Sequence, residues 1–339
     1  MPGRDYKQVF EQFRHLRVMI IGDVMVDAYI FGKVDRISPE APVPVVSVEK
    51  RVNRLGGAAN VALNLKSLGA KPILCSVIGN DPKGHEFRQL LAEENIPGDA
   101  VLTSHDRITT TKFRIIGNKS QILRVDEEVT HDLDEKDESE LLHKISRILE
   151  KSEIQAIILQ DYNKGVLTSN LITRVIEKAR EHHVPLAVDP KKKNFFQFKG
   201  ASLFKPNLKE LREGLNRDIH VHDFNSLEAA AAILHKELDV NIIMTTLSEK
   251  GVFISLREAG GTFIQHVIPA HIRNISDVSG AGDTVISVAA LCLATGLDAR
   301  EIASLSNLAG GLVCEEVGVV PVDREKLLNE SINLLQETS

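Results

Sequence analysis

The chain has 339 residues, of which 43% are hydrophobic, enough to bury a substantial core in one large domain or in two. The net charge of −6, the lack of Trp and an aromatic content of 4% argue against nucleic acid or an anionic membrane as a partner and favour small-molecule chemistry. The three cysteines, Cys75, Cys292 and Cys314, lie in apolar stretches without metal-ligand spacing, so we expect buried, reduced thiols.

The N-terminal segment is polar and charged as far as Arg17. The apolar run that follows is interrupted by Asp23 and Asp27, a pattern that fits neither a signal peptide nor a membrane span. We therefore expect a cytoplasmic protein.

Short β-branched runs typical of buried strands alternate with longer amphipathic stretches typical of helices. The predicted strands are 18–21, 73–78, 154–159, 186–188 and 242–245. The predicted helices are 58–68, 84–94, 139–149, 169–182, 227–238, 281–294, 299–316 and 324–335. This order predicts an α/β fold with a mostly parallel central sheet flanked by helices, in a single domain over residues 1–339.

Two segments break this alternation: residues 29–50, which contain three prolines, and residues 108–126, where polar and apolar residues tend to alternate. We expect them to form a small β-sheet lid over the ends of the parallel strands, where ligands of open sheets bind. Because a small sheet cannot easily bury both of its faces, the apolar residues of the lid predict a homodimer formed through it.

The segment with the strongest chemical character is DVSGAGDT at residues 277–284, which passes from a Gly-rich turn into an Ala- and Val-rich helix. Gly280, Ala281 and Gly282 are small enough for backbone N–H groups to approach an anion, and the helix dipole adds to the attraction. Asp283 would then lie beside a bound phosphate, placed to take the proton of an attacking hydroxyl. The alternative is that Asp283 only caps the helix.

Other phosphate-binding scaffolds fit the sequence poorly. After the first predicted strand, residues 21–27 read IGDVMVD and contain one Gly, whereas a dinucleotide site needs G-x-G-x-x-G. A Walker A sequence is also missing, which argues against a P-loop kinase. The histidines are scattered without the spacing of a metal cage.

Three motifs resemble those of the ribokinase-like carbohydrate kinases, the PfkB family. Residues 277–283 match the family pattern D-T/V-x-G-A-G-D, and residues 56–60 match its Gly-Gly pair followed by Asn. Asn207 and Glu210 match its N-x-x-E motif, which implies that they help to organise Mg²⁺ and phosphates, with Glu210 acting on the metal through water. The resemblance implies a ribokinase-like fold, a sugar kinase activity, and ATP and Mg²⁺ as cofactors.

The resemblance covers nearly the whole chain and extends to the nucleotide side. Residues 246–251, TLSEKG, resemble the nucleotide-contacting loop of the family, and a later helix carries a residue that fits its adenine side. The implied nucleotide-binding residues are Thr246, Ser248, Glu249, Gly251 and Asn307.

Within the family, the sequence is similar to the D-glycero-β-D-manno-heptose 7-phosphate kinases of lipopolysaccharide precursor synthesis. The similarity rests on GDVM (22–25), ISPEAPVPV (37–45), DYNKG (161–165) and VDPK (188–191), whereas the lid departs from the subgroup at GNKS (117–120). It implies transfer of a phosphoryl group from ATP to the anomeric O1 of heptose 7-phosphate. Any adenylylation of the product is expected to need another polypeptide.

The substrate-binding residues follow from this resemblance and from the need to pair sugar hydroxyls with fixed carboxylates and amides. Basic residues among them are expected to neutralise the phosphate of the sugar. The candidates are Asp23, Asp27, Gly56, Gly57, Asn60, Arg114, Arg124, Asp161, Lys164, Asp189 and Lys191. One alternative is a kinase for another sugar, phosphosugar or nucleoside. A second is a non-catalytic sugar-binding regulatory module, against which the presence of Asp283 and Glu210 argues.

Overall fold

The computed structural model describes residues 5–258, 260–271 and 273–335. In chain order the strands of these residues are β1 (Arg17–Gly22), β2 (Val24–Ile37), β3 (Pro44–Gly57), β4 (Lys71–Gly79), β5 (Val101–Ser104), β6 (Thr111–Gly117), β7 (Ser120–Glu127), β8 (Ala156–Gln160), β9 (Leu186–Asp189), β10 (Leu203–Phe204), β11 (Ile242–Thr246), β12 (Val252–Arg257) and β13 (Phe263–Ile268). The α-helices are α1 (Tyr6–Phe13), α2 (Ala58–Ser67), α3 (Pro82–Glu93), α4 (Glu135–Lys151), α5 (Ser169–Glu181), α6 (Leu208–Leu215), α7 (Phe224–Leu238), α8 (Ala281–Ala294), α9 (Ala299–Val313) and α10 (Arg324–Leu335).

The larger sheet has the strand order β13-β12-β11-β10-β9-β8-β1-β4-β5. Its neighbours from β11 to β5 are parallel, and β12 and β13 add an antiparallel edge. The predicted α/β fold, with a mostly parallel central sheet between helices, is therefore confirmed.

Helices cover both faces of this sheet, so its central strands are buried on both sides. On β1, Val18 and Ile20 pack in a core with α2, α8 and α9, whereas Met19 and Ile21 pack in a second core with α4, α5 and α7. Burial on both faces explains why β1 reads as a continuous apolar run rather than as an alternating pattern. As predicted, the three cysteines are buried with free thiols.

The smaller sheet has the strand order β3-β2-β6-β7 and corresponds to the predicted lid. Its strands β2 and β3 are each 14 residues long and extend beyond the predicted segment 29–50, so that Asp27 lies on β2 and Gly57 ends β3. Every residue of the outer strand β7 is exposed, including Leu123 and Val125. The outer strand of the lid therefore exposes three apolar side chains among polar and charged ones.

Within the described parts of the chain, the helices all lack the length and apolar character needed to cross a membrane.

Candidate active site

Helix α8 begins at the Gly-rich segment and brings Asp283 into its first turn. Gly280 precedes the helix with φ 82°, a left-handed conformation that glycine adopts without strain. The first-turn N–H groups of a helix have no partner within the helix, so this end of α8 attracts anions. Asp283 is buried, with 5% of its surface exposed.

Three donors from distant parts of the chain meet the Asp283 carboxylate. Tyr162 Oη donates to Oδ1 at 2.6 Å and Gln160 Nε2 donates to the same oxygen at 3.2 Å. Asn60 Nδ2 donates to Oδ2 at 2.7 Å. The orientation of the Asp283 carboxylate is thus fixed by hydrogen bonds from side chains outside helix α8.

Burial raises the pKa of Asp283 to about 6. Asp189 adds to the increase, while the hydrogen bonds from Tyr162 and Asn60 and the charge of Lys191 oppose it. A carboxylate whose pKa lies near neutrality is a stronger base than an ordinary aspartate yet is still mostly ionised at pH 7.

A cavity of about 1010 Å³ adjoins this end of α8. Gly280, Ala281, Gly282 and Asp283 all line it. The rest of the lining comes from loops and helices that are distant in sequence, and it includes most of the nucleotide-binding candidates: Asn207, Thr246, Ser248, Glu249, Gly251 and Asn307. The structure therefore brings the Gly-rich motif and those candidates together around one opening.

Paired charged side chains connect the cavity with helix α6, beginning at Lys205, which follows β10. Lys205 Nζ lies 3.0 Å from Asp189 Oδ2, and Lys191 Nζ lies 3.7 Å from Asp189 Oδ1. Lys191 also binds Glu210, whose other oxygen accepts the Asn207 N–H at 2.8 Å in a capping box for α6. These pairs offset the desolvation of the buried charges.

These ion pairs also shift the pKa values of Asp189 and Lys191. Burial alone would raise the pKa of Asp189, but the ammonium groups of Lys205 and Lys191 hold it below its ordinary value. Burial would likewise lower the pKa of Lys191, and Asp189 and Glu210 instead raise it. The Lys191 ammonium group therefore stays charged at neutral pH, and it lines the cavity next to the anion-attracting end of α8.

Asp23 and Asp161 are buried against the loop that follows β8. The Asp23 carboxylate accepts backbone N–H groups from Tyr162 at 2.8 Å, Lys164 at 3.0 Å and Val166 at 3.0 Å. Asp161 accepts the Asn163 N–H at 2.7 Å, and burial raises its pKa to about 6. Both side chains fix the loop that carries Tyr162, and neither lines the cavity.

The lid contributes Asp27, which forms an ion pair with Arg114. The Arg114 and Arg54 guanidinium carbons lie 5.2 and 5.5 Å from the centre of the Tyr29 ring. A Cβ at position 56 would collide with Asp27 Oδ2, so Gly56 is what allows the carboxylate to sit against β3.

The lid reaches the α8 end through short contacts. Arg54 Nη1 donates to Val319 O at 3.1 Å, and Val319 packs beside Gly280. Gly57, with φ 61°, is the N-cap of α2, the helix that carries Asn60. Arg54 therefore approaches the same end of α8 as Asn60 does.

The remaining basic candidates lie elsewhere. Arg124 is on β7, its side chain is 53% exposed, and it pairs with Asp126 at 3.0 Å. Lys164 pairs with Glu128 at 2.6 Å. Neither residue lines the cavity, whereas Lys191 does.

Four residues of the site were not predicted: Gln160, Tyr162, Lys205 and Arg54. Tyr162 lies within the DYNKG motif, and Lys205 stands two residues before the N-x-x-E motif, so an inspection of motif neighbours would have found both. Gln160 directly precedes that motif and Arg54 stands two residues before the Gly56-Gly57 pair, so the same inspection would have included them, although their contacts depend on strand pairing between distant segments.

The chain is similar in sequence to a family of known enzymes. The family model described as pfkB family carbohydrate kinase matches residues 15–325. The bifunctional protein HldE of Citrifermentans bemidjiense is 35% identical over 330 residues, 97% of this chain and 66% of that protein. The bifunctional protein HldE of Coxiella burnetii is 40% identical over 310 residues, 91% of this chain and 62% of that protein. The chain thus spans a little under two thirds of the length of these relatives.

Solved structures show the same fold. Phosphofructokinase-2 from Escherichia coli in complex with potassium superposes with a TM-score of 0.77 at 19% identity, covering 94% of this chain and 99% of that one. Arabidopsis thaliana ribokinase complexed with ribose and ATP gives 0.68 at 18% identity, covering 92% and 98%.

Proposed function

The chain belongs to the pfkB family of carbohydrate kinases, and we propose that it transfers the γ-phosphoryl group of ATP to the anomeric O1 of D-glycero-D-manno-heptose 7-phosphate. The observation that carries the proposal is the position of Asp283, which lines the cavity at the anion-attracting end of α8 together with the side chains of Lys191 and Lys205. The motif similarity to heptose 7-phosphate kinases supports the choice of sugar.

In the proposed reaction, O1 of the sugar attacks the γ-phosphorus while the bond between that phosphorus and the bridging oxygen of ADP breaks. The proton of the O1 hydroxyl passes to Asp283, and the products are heptose 1,7-bisphosphate and ADP. The N–H groups at Gly280, Ala281 and Gly282 hold the charge that develops on the transferred group. Lys205, buried and close to Gly282, adds a fixed positive charge there.

The donor set suits Mg²⁺ brought in with ATP rather than held by a dedicated metal cage. Groups of three or more metal-ligating side chains are not found among the described residues. Mg²⁺ usually keeps several waters and takes one or two carboxylates plus substrate phosphates. Glu210 and Asp189 supply such carboxylates, and Asp189 Oδ1 is a buried acceptor that lacks a hydrogen bond within the described residues. When bound, the ion would neutralise phosphate charge.

Arg54 and Arg114 support a sugar that already carries a phosphate. Their guanidinium groups flank Tyr29 on the lid strands, close to Asp27 and to the α8 end. Guanidinium groups bind phosphate through paired N–H donors. A lid that closes on the sugar would bring both groups to the distal phosphate, while Asp27 and Asn60 pair with sugar hydroxyls.

The location and assembly of the protein are part of the proposal. Use of ATP supports a cytoplasmic site of action, and the exposed apolar residues of β7 support a homodimer formed through the lid.

The test of the substrate is a panel assay. Purified protein with Mg²⁺ and ATP is offered heptose 7-phosphate, unphosphorylated heptose, ribose, fructose and fructose 6-phosphate, and ADP is measured by a coupled enzyme. The proposal expects fastest turnover with heptose 7-phosphate and a new anomeric phosphate in the ³¹P spectrum of the product. Preference for another phosphosugar would refute the substrate assignment but not the sugar kinase activity. ADP release that does not depend on any sugar would refute the sugar kinase activity itself.

A further inference from the structure

The two oxygens of the proposed base are not equivalent. A carboxylate oxygen offers about two in-plane acceptor positions. Oδ1 of Asp283 accepts two hydrogen bonds, from Tyr162 and Gln160, whereas Oδ2 accepts one, from Asn60. Oδ1 is therefore filled, and Oδ2 keeps one position for a further donor.

We propose that Tyr162 is a positioning residue for the base, because its phenol fills Oδ1 and directs proton transfer from the sugar to Oδ2 of Asp283. This inference rests on the proposed function of Asp283. It assigns Tyr162 a role in the reaction that does not require contact with the transferred atoms.

Tyr162 is fixed well enough to impose this geometry. Its backbone N–H is bound by Asp23 Oδ2 at 2.8 Å, and Lys191 Nζ lies 5.5 Å from the centre of its ring. Burial, together with Asp283 and Asp189, raises the pKa of the Tyr162 phenol well above its ordinary value. The phenol thus stays protonated and donating across the pH range in which an enzyme is assayed.

Asn60 provides a further hydrogen-bond acceptor close to the base. Asn60 Oδ1 is buried and lacks a hydrogen-bond partner among the residues that the structure describes. Asn60 Nδ2 binds Oδ2 of Asp283, so the amide that carries this free oxygen adjoins the carboxylate oxygen that keeps an open position. A sugar hydroxyl that donates to Oδ2 would then approach beside the Asn60 amide.

Loss of the Tyr162 donor has a defined effect on pH dependence. The charged and titratable groups that face Asp283 are Asp189, Lys191 and Lys205, with Tyr162 itself. All except Tyr162 are unchanged in Tyr162→Phe, which removes one hydrogen bond to the ionised carboxylate. The pKa of Asp283 then rises, and the acid limb of kcat moves to higher pH by about one to two pH units.

The experiment measures kcat against pH for the wild type, Tyr162→Phe and Ser255→Ala, each with saturating ATP and sugar phosphate. Ser255→Ala is the matched control, because it removes a buried hydroxyl that contacts His235, in a part of the fold away from the base. The expected result is an upward shift for Tyr162→Phe and no shift for the control, with ATP affinity unchanged. An acid limb that does not move in folded Tyr162→Phe overturns the proposal.

A second variant keeps the test decisive should Tyr162→Phe fold poorly. Site-specific 3-fluorotyrosine at position 162 preserves the ring and makes the phenol a stronger donor, so the acid limb is expected to move to lower pH. An unchanged limb or a shift to higher pH overturns the proposal. Asp283→Asn separates the two hypotheses: if it retains normal turnover, the proposed base is wrong, whereas an inactive Asp283→Asn with an unshifted Tyr162 variant refutes only the role of Tyr162.

Discussion

Replacing Asp283 with asparagine is expected to make the protein less active and more stable at the same time. The substitution preserves the size of the side chain, and its new amide N–H₂ faces Asn60. Asn60 satisfies it by rotating its own amide, since Asn60 Oδ1 lacks a partner among the described residues. The carbonyl oxygen of the substituted side chain still accepts from Tyr162 and Gln160, so we expect the fold to be retained.

The stability gain follows from the pKa of Asp283. This pKa is about 6 in the folded protein and 3.8 for the ordinary side chain. Because the folded state holds the proton more tightly than the unfolded state, ionisation above pH 6 destabilises the fold, and the penalty fades as the pH falls from 6 towards 3.8. At pH 8 the penalty is about 3 kcal/mol, and at pH 4.5 it is about 1 kcal/mol.

The assay combines urea unfolding at pH 8 and pH 4.5 with turnover at pH 8. Asp283→Asn should unfold at a higher urea concentration than wild type at pH 8, with the difference reduced by about 2 kcal/mol at pH 4.5. Turnover should fall by roughly 10²–10⁴-fold, the usual contribution of a general base. Asp239→Asn is the control, since Asp239 is an exposed carboxylate in a left-handed position that asparagine also tolerates. An Asp283→Asn variant that is less stable at pH 8 and keeps turnover within about tenfold would refute the reasoning.

Three further predictions test other parts of the site. Lys205→Met leaves Asp189 without its 3.0 Å partner, so turnover should fall by about 10²-fold or more and the free energy of unfolding by about 3 kcal/mol. The control Lys236→Met changes an exposed lysine and should leave both quantities at their wild-type values. Wild-type turnover in Lys205→Met would exclude Lys205 from the reaction. Gly56→Ala should push the Asp27 carboxylate from β3 and raise the KM for the sugar about tenfold while the KM for ATP stays constant, and equal changes in both would count against a sugar contact. Leu123→Asp on the exposed edge of β7 should turn a dimer into a monomer in sedimentation experiments without lowering Tm, and an undisturbed dimer would exclude the lid as the interface.

The main layers of the fold could be predicted because they follow from local patterns. The helices predicted at residues 281–294 and 324–335 coincide with α8 and α10, since long apolar or amphipathic runs leave little choice of structure. Strand β10 was missed because it has two residues and exists through its neighbours β9 and β11. The antiparallel edge strands β12 and β13 were also missed. Strand β13 is exposed or only partly buried along its whole length, so it lacks the continuous apolar run that marks the central strands.

In the active site, too, the features defined by local sequence could be predicted, whereas contacts between distant segments could not. The turn at Gly280 and the position of Asp283 could be predicted from the sequence, because a glycine followed by a helix-forming run defines both locally. Asn60 was a predicted site residue, but the hydrogen bonds from Tyr162 and Gln160 to Asp283 could not be predicted, because these residues lie more than 120 positions away in sequence. Their approach depends on how β8 pairs with β1 and where α8 crosses the sheet, and sequence spacing does not encode this.

The central claim is spatial, and a structure of the protein with a non-hydrolysable ATP analogue, Mg²⁺ and heptose 7-phosphate tests it most directly. The prediction is that the anomeric O1 lies about 2.6–3.2 Å from Oδ2 of Asp283 and in line with the γ-phosphorus at the N-terminus of α8. A sugar whose reacting oxygen lies beyond hydrogen-bond reach of Asp283, with another side chain in contact with it, would contradict the account.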